Sequence, residues 1–137
     1  MPKKKNRIII DTNLWISFLL TNDFSKLDKI FKNKTVLLLF SQTLLDEFLE
    51  VSQRPKLKKY FSLPDLEALL FQIKEEAEFI EVTSNIKLCR DPKDDFLLSL
   101  AKDGKATHLI TGDKDLLDII KFGKTKITTI KDYLLKE

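Results

Sequence analysis

Short apolar runs without polar alternation recur along the chain at Arg7–Ile10, Val36–Phe40, Phe79–Val82, Leu109–Ile110 and Ile127–Ile130. Continuous apolarity over so few residues suits strands buried on both faces, as in a parallel sheet covered by helices. Between the runs the apolar residues take a helical spacing: Leu14–Leu20 continuing into Leu27–Phe31, then Leu44–Val51, Asp65–Ala77, Phe96–Ala101 and Leu116–Ile120. A short last helix is expected through Tyr133–Leu135. Strand and helix alternating in this way predict an open α/β fold with helices on both faces of the sheet. The stretch Arg54–Glu78 is nearly all helical, so one crossover is longer than a single helix, with Pro55 and Pro64 starting its pieces.

The length of 137 residues suits one domain and is too short for two, and with no repeat or linker the whole of 1–137 is expected to fold as a unit. Residues 1–6 are expected to be a flexible basic arm. A lone Cys89 allows no internal disulfide and points to a reducing, cytoplasmic setting. Asp11 and Asn13 interrupt the apolar stretch that a secretory signal would need, and no run approaches the length of a membrane span. The three glycines form no G-x-G-x-x-G or Walker loop, which excludes those phosphate cradles. A net charge of +3 tolerates a polyanionic partner without demonstrating one.

In open parallel sheets the functional crevice lies beyond the carboxyl ends of the strands, so acids just after strands deserve individual placement. Asp11 follows Ile8–Ile10, and Asp113 follows Leu109–Thr111 after one glycine; each is also a good helix N-cap. In the helix opening near Ser41, residues Leu44, Leu45, Phe48, Leu49 and Val51 form one stripe. Glu47 lies at its border, whereas Asp46 and Glu50 point to solvent. The run Asp91-Pro-Lys-Asp-Asp95 opens another helix, with Asp91 as N-cap and Pro92 at its first position. That phase turns Asp94 inward and Asp95 outward; a later helix start would turn Asp95 inward instead. The next helix has Leu116, Leu117, Ile119 and Ile120 inside, with Asp113 turned toward them and Asp115 away. Asp11, Glu47, Asp94 and Asp113 can thus converge at one end of the sheet. Clustered carboxylates repel one another unless a hard cation such as Mg²⁺ or Mn²⁺ sits among them. One or two such ions equip a site for attack of water on a phosphodiester.

At these residues the chain resembles the PIN-domain family, metal-dependent ribonucleases best known as toxins of toxin–antitoxin pairs. The resemblance is carried by Ile8-Ile-Ile-Asp-Thr-Asn13, Ser41-x-x-Leu-Leu-Asp-Glu47, Asp91-Pro-Lys-Asp-Asp-Phe-Leu-Leu-Ser-Leu-Ala101 and Leu109-Ile-Thr-Gly-Asp-Lys-Asp-Leu116, and spans essentially the whole chain. It implies a three-layer α/β/α sandwich around a mostly parallel five-stranded sheet, with Asp11, Glu47, Asp94 and Asp113 as the catalytic and metal-holding acids. It makes Asn13 and Thr111 polar supports of those carboxylates; Asp95 is the neighbouring support. It also implies an RNA substrate, a cognate antitoxin and a homodimer.

The remaining features have plain explanations beside functional ones. Arg54, Lys56, Lys58 and Lys59, ending at Tyr60, could track an RNA backbone or form a solvated helix face. Trp15 and Phe18 are expected in the core, and His108 as a satisfied core or edge histidine. Aspartyl-phosphate chemistry is disfavoured: Val82 is followed by Thr83, Ser84 and Asn85 where an acceptor aspartate is required, and Asn13 stands where a second aspartate would be. The leading expectation is a Mg²⁺/Mn²⁺-dependent endoribonuclease acting on unpaired RNA. Its competitor is a non-catalytic PIN-like module that binds RNA or protein.

Overall fold

The computed structural model describes residues 6–32, 35–89 and 94–136. Residues 1–5, Asp91 and Pro92 lie outside these, and with them most of the expected basic arm and the expected cap of the helix after residue 90; Asn6, expected in that arm, instead begins the first strand. The strands are β1 (Asn6–Ile10), β2 (Val36–Phe40), β3 (Ala77–Phe79), β4 (His108–Ile110), β5 (Lys121–Phe122) and β6 (Thr125–Thr128). They form one sheet in the order β3-β2-β1-β4-β6-β5, parallel throughout except for the β5–β6 hairpin. Ile8, Ile9 and Ile10 are all inaccessible to solvent, as are Leu39, Phe40, Leu109 and Ile110. Consecutive side chains point to opposite faces of a strand, so helices must cover both faces.

The helices are α1 (Thr12–Thr21), α2 (Ser25–Lys32), α3 (Gln42–Ser52), α4 (Pro55–Lys58), α5 (Leu63–Glu76), α6 (Asp95–Asp103), α7 (Lys114–Leu117) and α8 (Ile130–Lys136). Helix α1 packs on α3 and α5, and α2 packs on α8. The expected continuous helix from Leu14 to Phe31 is two helices. Asn22 takes a left-handed conformation (φ 53°), and the Asp23 carboxylate then accepts from the Ser25 N–H and hydroxyl to start α2. Pro55 begins α4 and Pro64 sits in the first turn of α5, capped by Ser62.

Four expectations need correction. Among the described residues the sheet has six strands rather than five, because Lys121–Phe122 pairs back on Thr125–Lys126 through Gly123 (φ 58°). A two-residue strand is too short to leave a periodic signal. The strand expected at Phe79–Val82 is Ala77–Phe79, since beyond Ile80 the chain leaves the sheet. The last strand runs Thr125–Thr128, and Ile130 already belongs to α8. Helix α7 is a single turn, so Ile120 does not join its inner face. Ile120 is 71% exposed at φ 67°, and its carbonyl receives the Ile127 N–H.

Candidate active site at the carboxyl edge

Strand β1 lies between β2, which begins one progression across the sheet, and β4, which begins the other. This is a topological switch point, where an open α/β sheet leaves a crevice beyond its carboxyl ends. Ile10 pairs with Ile110, so the residues after them, Asp11 and Thr111, arrive side by side. The Asp11 N–H completes the ladder on the Ile110 carbonyl (3.0 Å). Trp15, fully buried against Phe18 and Phe40, donates its indole N–H to the Ile10 carbonyl (2.9 Å) and fixes the turn from β1 into α1.

Asp11 is 4% exposed. It does cap α1, accepting the Asn13 N–H at Oδ1 (2.6 Å), and its Oδ2 accepts the Thr111 hydroxyl (2.5 Å). Burial pushes its carboxyl above the ordinary aspartate range. The Thr111 and Asn13 hydrogen bonds pull the other way, and the negative charge of Asp113 adds to the rise. The Thr111 hydroxyl also accepts from the Asp113 N–H (3.0 Å), so one buried side chain joins the first and fourth acids. Asp113 caps α7 by accepting the Asp115 N–H (3.1 Å). Asp113 and Asp115 are both half-buried, so a single turn does not separate them as expected.

Helix α3 begins as the sequence predicts, with the Ser41 hydroxyl accepting the Leu44 N–H (3.1 Å). Its phase leaves Asp46 and Glu50 exposed and Glu47 half-buried. The buried Thr12 hydroxyl donates to Glu47 Oε2 (3.3 Å), which ties the second acid to the residue following the first. Sequence reasoning gave Thr12 no role; the signal for one was its place directly after an N-cap aspartate.

Helix α6 opens at Asp95, three residues later than expected, with Asp94 as its N-cap residue in helical backbone conformation. Asp94 and Asp95 are both half-buried, so the expected inward–outward contrast between them does not hold. Their surroundings separate them instead. Asp95 Oδ1 accepts the N–H groups of Leu88 (3.0 Å) and Cys89 (2.7 Å), which hold its carboxyl below the ordinary range. The Cys89 thiol is pushed up to about 12, first by burial, then by its hydrogen bond to Asp95, and further by the charges of Asp95, Asp94 and Asp113.

Asp11, Thr111 and Asp113 are thus joined directly and Glu47 through Thr12, while Asp94 stands at the start of α6, next to Asp95. Among the described residues, no three His, Cys, Asp or Glu side chains stand close enough to hold a metal ion as they lie. The donors are all carboxylate oxygens, however, and the one buried among them is raised by desolvation and a like charge. That chemistry suits a hard divalent cation. Asn13 is exposed, and its contribution is its backbone N–H. In the basic stretch, Arg54 pairs with Glu50 one turn back on the surface (2.9 Å), and Lys59 lies over the Tyr60 ring. His108 is buried, with Nδ1 against the Thr107 hydroxyl (2.8 Å) and its ring edge-on to Tyr133. Among the described residues no helix is long and apolar enough to cross a membrane.

The chain is similar to known proteins. An uncharacterized protein of Methanocaldococcus jannaschii is 33% identical over 123 residues, covering 87% of this chain and 78% of its own. A chain in the crystal structure of VapBC2 from Rickettsia felis, bound to a DNA fragment from their promoter, superposes with a TM-score of 0.58 at 15% identity. That match covers 88% of this chain and 96% of the other. The PIN domain profile matches residues 7–115, from the first core strand through the turn that carries Asp113. With an α/β sheet that brings acids to its switch point and a family match over most of its length, the chain belongs to the PIN domain family.

Proposed function

We propose that the protein is a divalent-metal-dependent endoribonuclease that hydrolyses phosphodiester bonds in unpaired RNA. Asp11, Glu47, Asp94 and Asp113 form its catalytic and metal-holding set. The observation that carries this reading is Asp11, buried at the β1–β4 switch point, bonded to Thr111 and facing the charge of Asp113. A structural cap has no need of burial, because a surface aspartate caps equally well without desolvation. Thr111 aims Asp11 and anchors the backbone of Asp113, while Thr12 orients Glu47. Mg²⁺ or Mn²⁺ held by these oxygens would activate water and stabilise charge on the leaving oxygen. Unpaired RNA is the substrate whose backbone can reach acids at the edge of a sheet.

The motif resemblance to toxins of toxin–antitoxin pairs, together with the likeness to a chain of VapBC2, supports a role as a toxin with a cognate antitoxin. A homodimer is the expected assembly and the cytoplasm the expected setting. Cleavage of single-stranded RNA with Mg²⁺, with excess EDTA, and by Asp94→Asn tests the chemistry. Activity in the first condition alone is expected. Equal cleavage in all three would refute it, and RNA binding without cleavage in any would favour the non-catalytic module.

A further inference from the structure

After β3 the chain runs from residue 80 to residue 89 without regular structure, yet it is tightly fixed along α6. Asp103 accepts the N–H groups of Thr83 (2.6 Å) and Ser84 (2.8 Å) and the Ser84 hydroxyl (2.5 Å). One turn earlier on the helix, Ser99 accepts the Ile86 N–H (3.0 Å). One turn earlier again, Asp95 accepts from Leu88 and Cys89. Residues 95, 99 and 103 share one helix face, so the strap is zipped to α6 at three heights, the last of them at Asp95.

Between this strap, α6 and the start of α3 lies a groove of about 700 Å³. One wall is apolar, with Ile86, Leu88 and Phe96; Leu88 is 56% exposed. The other groups include the exposed side chains of Asn85 and Thr43, and Lys87 supplies a positive charge. Among the described residues the Asn85 amide has no hydrogen-bond partner, so it has both a donor and an acceptor to offer. The groove is lined at this end by Cys89 and by Asp95, the residue directly after Asp94.

We infer that this groove receives one unpaired nucleoside of the substrate, next to the phosphate being cut. The base lies against Leu88 and Phe96, and Asn85 reads its edge. An apolar wall for the face of a base beside an unengaged amide for its edge is what recognition of a splayed-out nucleotide requires. The inference rests on the ribonuclease reading for its substrate, and its test has a readout that does not need cleavage.

Fluorescein-labelled decamers of rA, rC, rG and rU are titrated against the full chain in Ca²⁺ and followed by anisotropy. Cut sites in a mixed-sequence RNA are mapped in Mg²⁺ for the same proteins. The wild-type chain is expected to prefer one homopolymer. Asn85→Ala, a surface change outside the acidic set, is expected to reduce that preference roughly five- to tenfold. It should also flatten base choice at one position flanking the cut while the number of cuts persists. Asp103→Ala, which does not line the groove, should blur the same preference by releasing the strap. Preference lost from both variants without any cleavage would support the groove and count against the nuclease. Equal binding of all four decamers, or a preference unchanged in Asn85→Ala, would overturn the inference.

Discussion

Thr111→Val tests the proposed architecture at its narrowest point. The substitution preserves side-chain volume and β-branching, so it opens no cavity at a position fully shielded from solvent. It removes one hydroxyl that donates to Asp11 Oδ2 at 2.5 Å and accepts from the Asp113 N–H at 3.0 Å. A buried hydrogen bond to a charged group contributes about 1.5–3 kcal/mol, and a backbone–hydroxyl bond about 0.5–1.5 kcal/mol. Together they predict a loss of roughly 2–4 kcal/mol. At a mid-range urea slope of about 2 kcal/mol per molar, that lowers the midpoint by roughly 1–2 M. A domain of ordinary stability, about 5–15 kcal/mol, stays folded after such a loss. Thr111→Ser keeps the hydroxyl and forfeits one methyl, so it should lose only about 0.8 kcal/mol. The loss in Thr111→Val also carries a pH signature. The missing hydrogen bond is one that lowers the Asp11 carboxyl, so that carboxyl should titrate higher still. The penalty is therefore largest near neutral pH and shrinks once acid protonates Asp11 in the folded state. Equal midpoints for the wild-type and Val proteins across pH would refute the view that Thr111 joins the two acids.

Four further outcomes follow from the same geometry. The folded carboxyl of Asp11 is raised, so its favourable contribution is present in acid and is lost as pH climbs through the folded value. Asp11→Asn should therefore melt higher than wild type at neutral pH in EDTA and show less pH dependence, even as cleavage disappears; a lower melting point would contradict the burial argument. Mg²⁺ or Mn²⁺ at about a hundred times its dissociation constant should stabilise the wild-type chain by about 2.7 kcal/mol. Asp11→Asn should gain little, and equal gains in calorimetry would place the ion elsewhere. Asp94→Asn should abolish cleavage, whereas Asp95→Asn, which keeps an acceptor oxygen for Leu88 and Cys89, should largely retain it. With its thiol pushed up to about 12, Cys89 should alkylate slowly at mildly alkaline pH. Asp95→Ala should speed that alkylation, and an unchanged rate would mean the strap is held without Asp95.

The placement of Glu47 was legible because eleven residues of α3 carry an unbroken apolar stripe, and a known starting cap sets its phase. Asp94 and Asp95 could not be separated in the same way. Phase depends on where a helix begins, and α6 begins at Asp95 rather than after Asp91. The strap from residue 80 to residue 89 has no period to read. Its order comes from Asp95, Ser99 and Asp103, whose four-residue spacing is visible but whose backbone partners lie up to twenty residues away. The β5–β6 hairpin, too short for a pattern, took Ile120 out of the helix that periodicity assigned to it.

Local chemistry written in the chain was sufficient to set the buried strands β1, β2 and β4, the caps at Asp11, Ser41 and Asp113, and the alternation that makes an α/β sheet. Each depends on residues only a few positions apart, where side-chain period and backbone capping act directly. What tertiary structure alone decided was pairing across a hundred residues. The β1–β4 register brings Thr111 onto Asp11, and burial there shifts the carboxyl. Hydrogen bonding and desolvation fall off within a few ångströms, so these effects exist only once the folded chain has brought the two strand ends together.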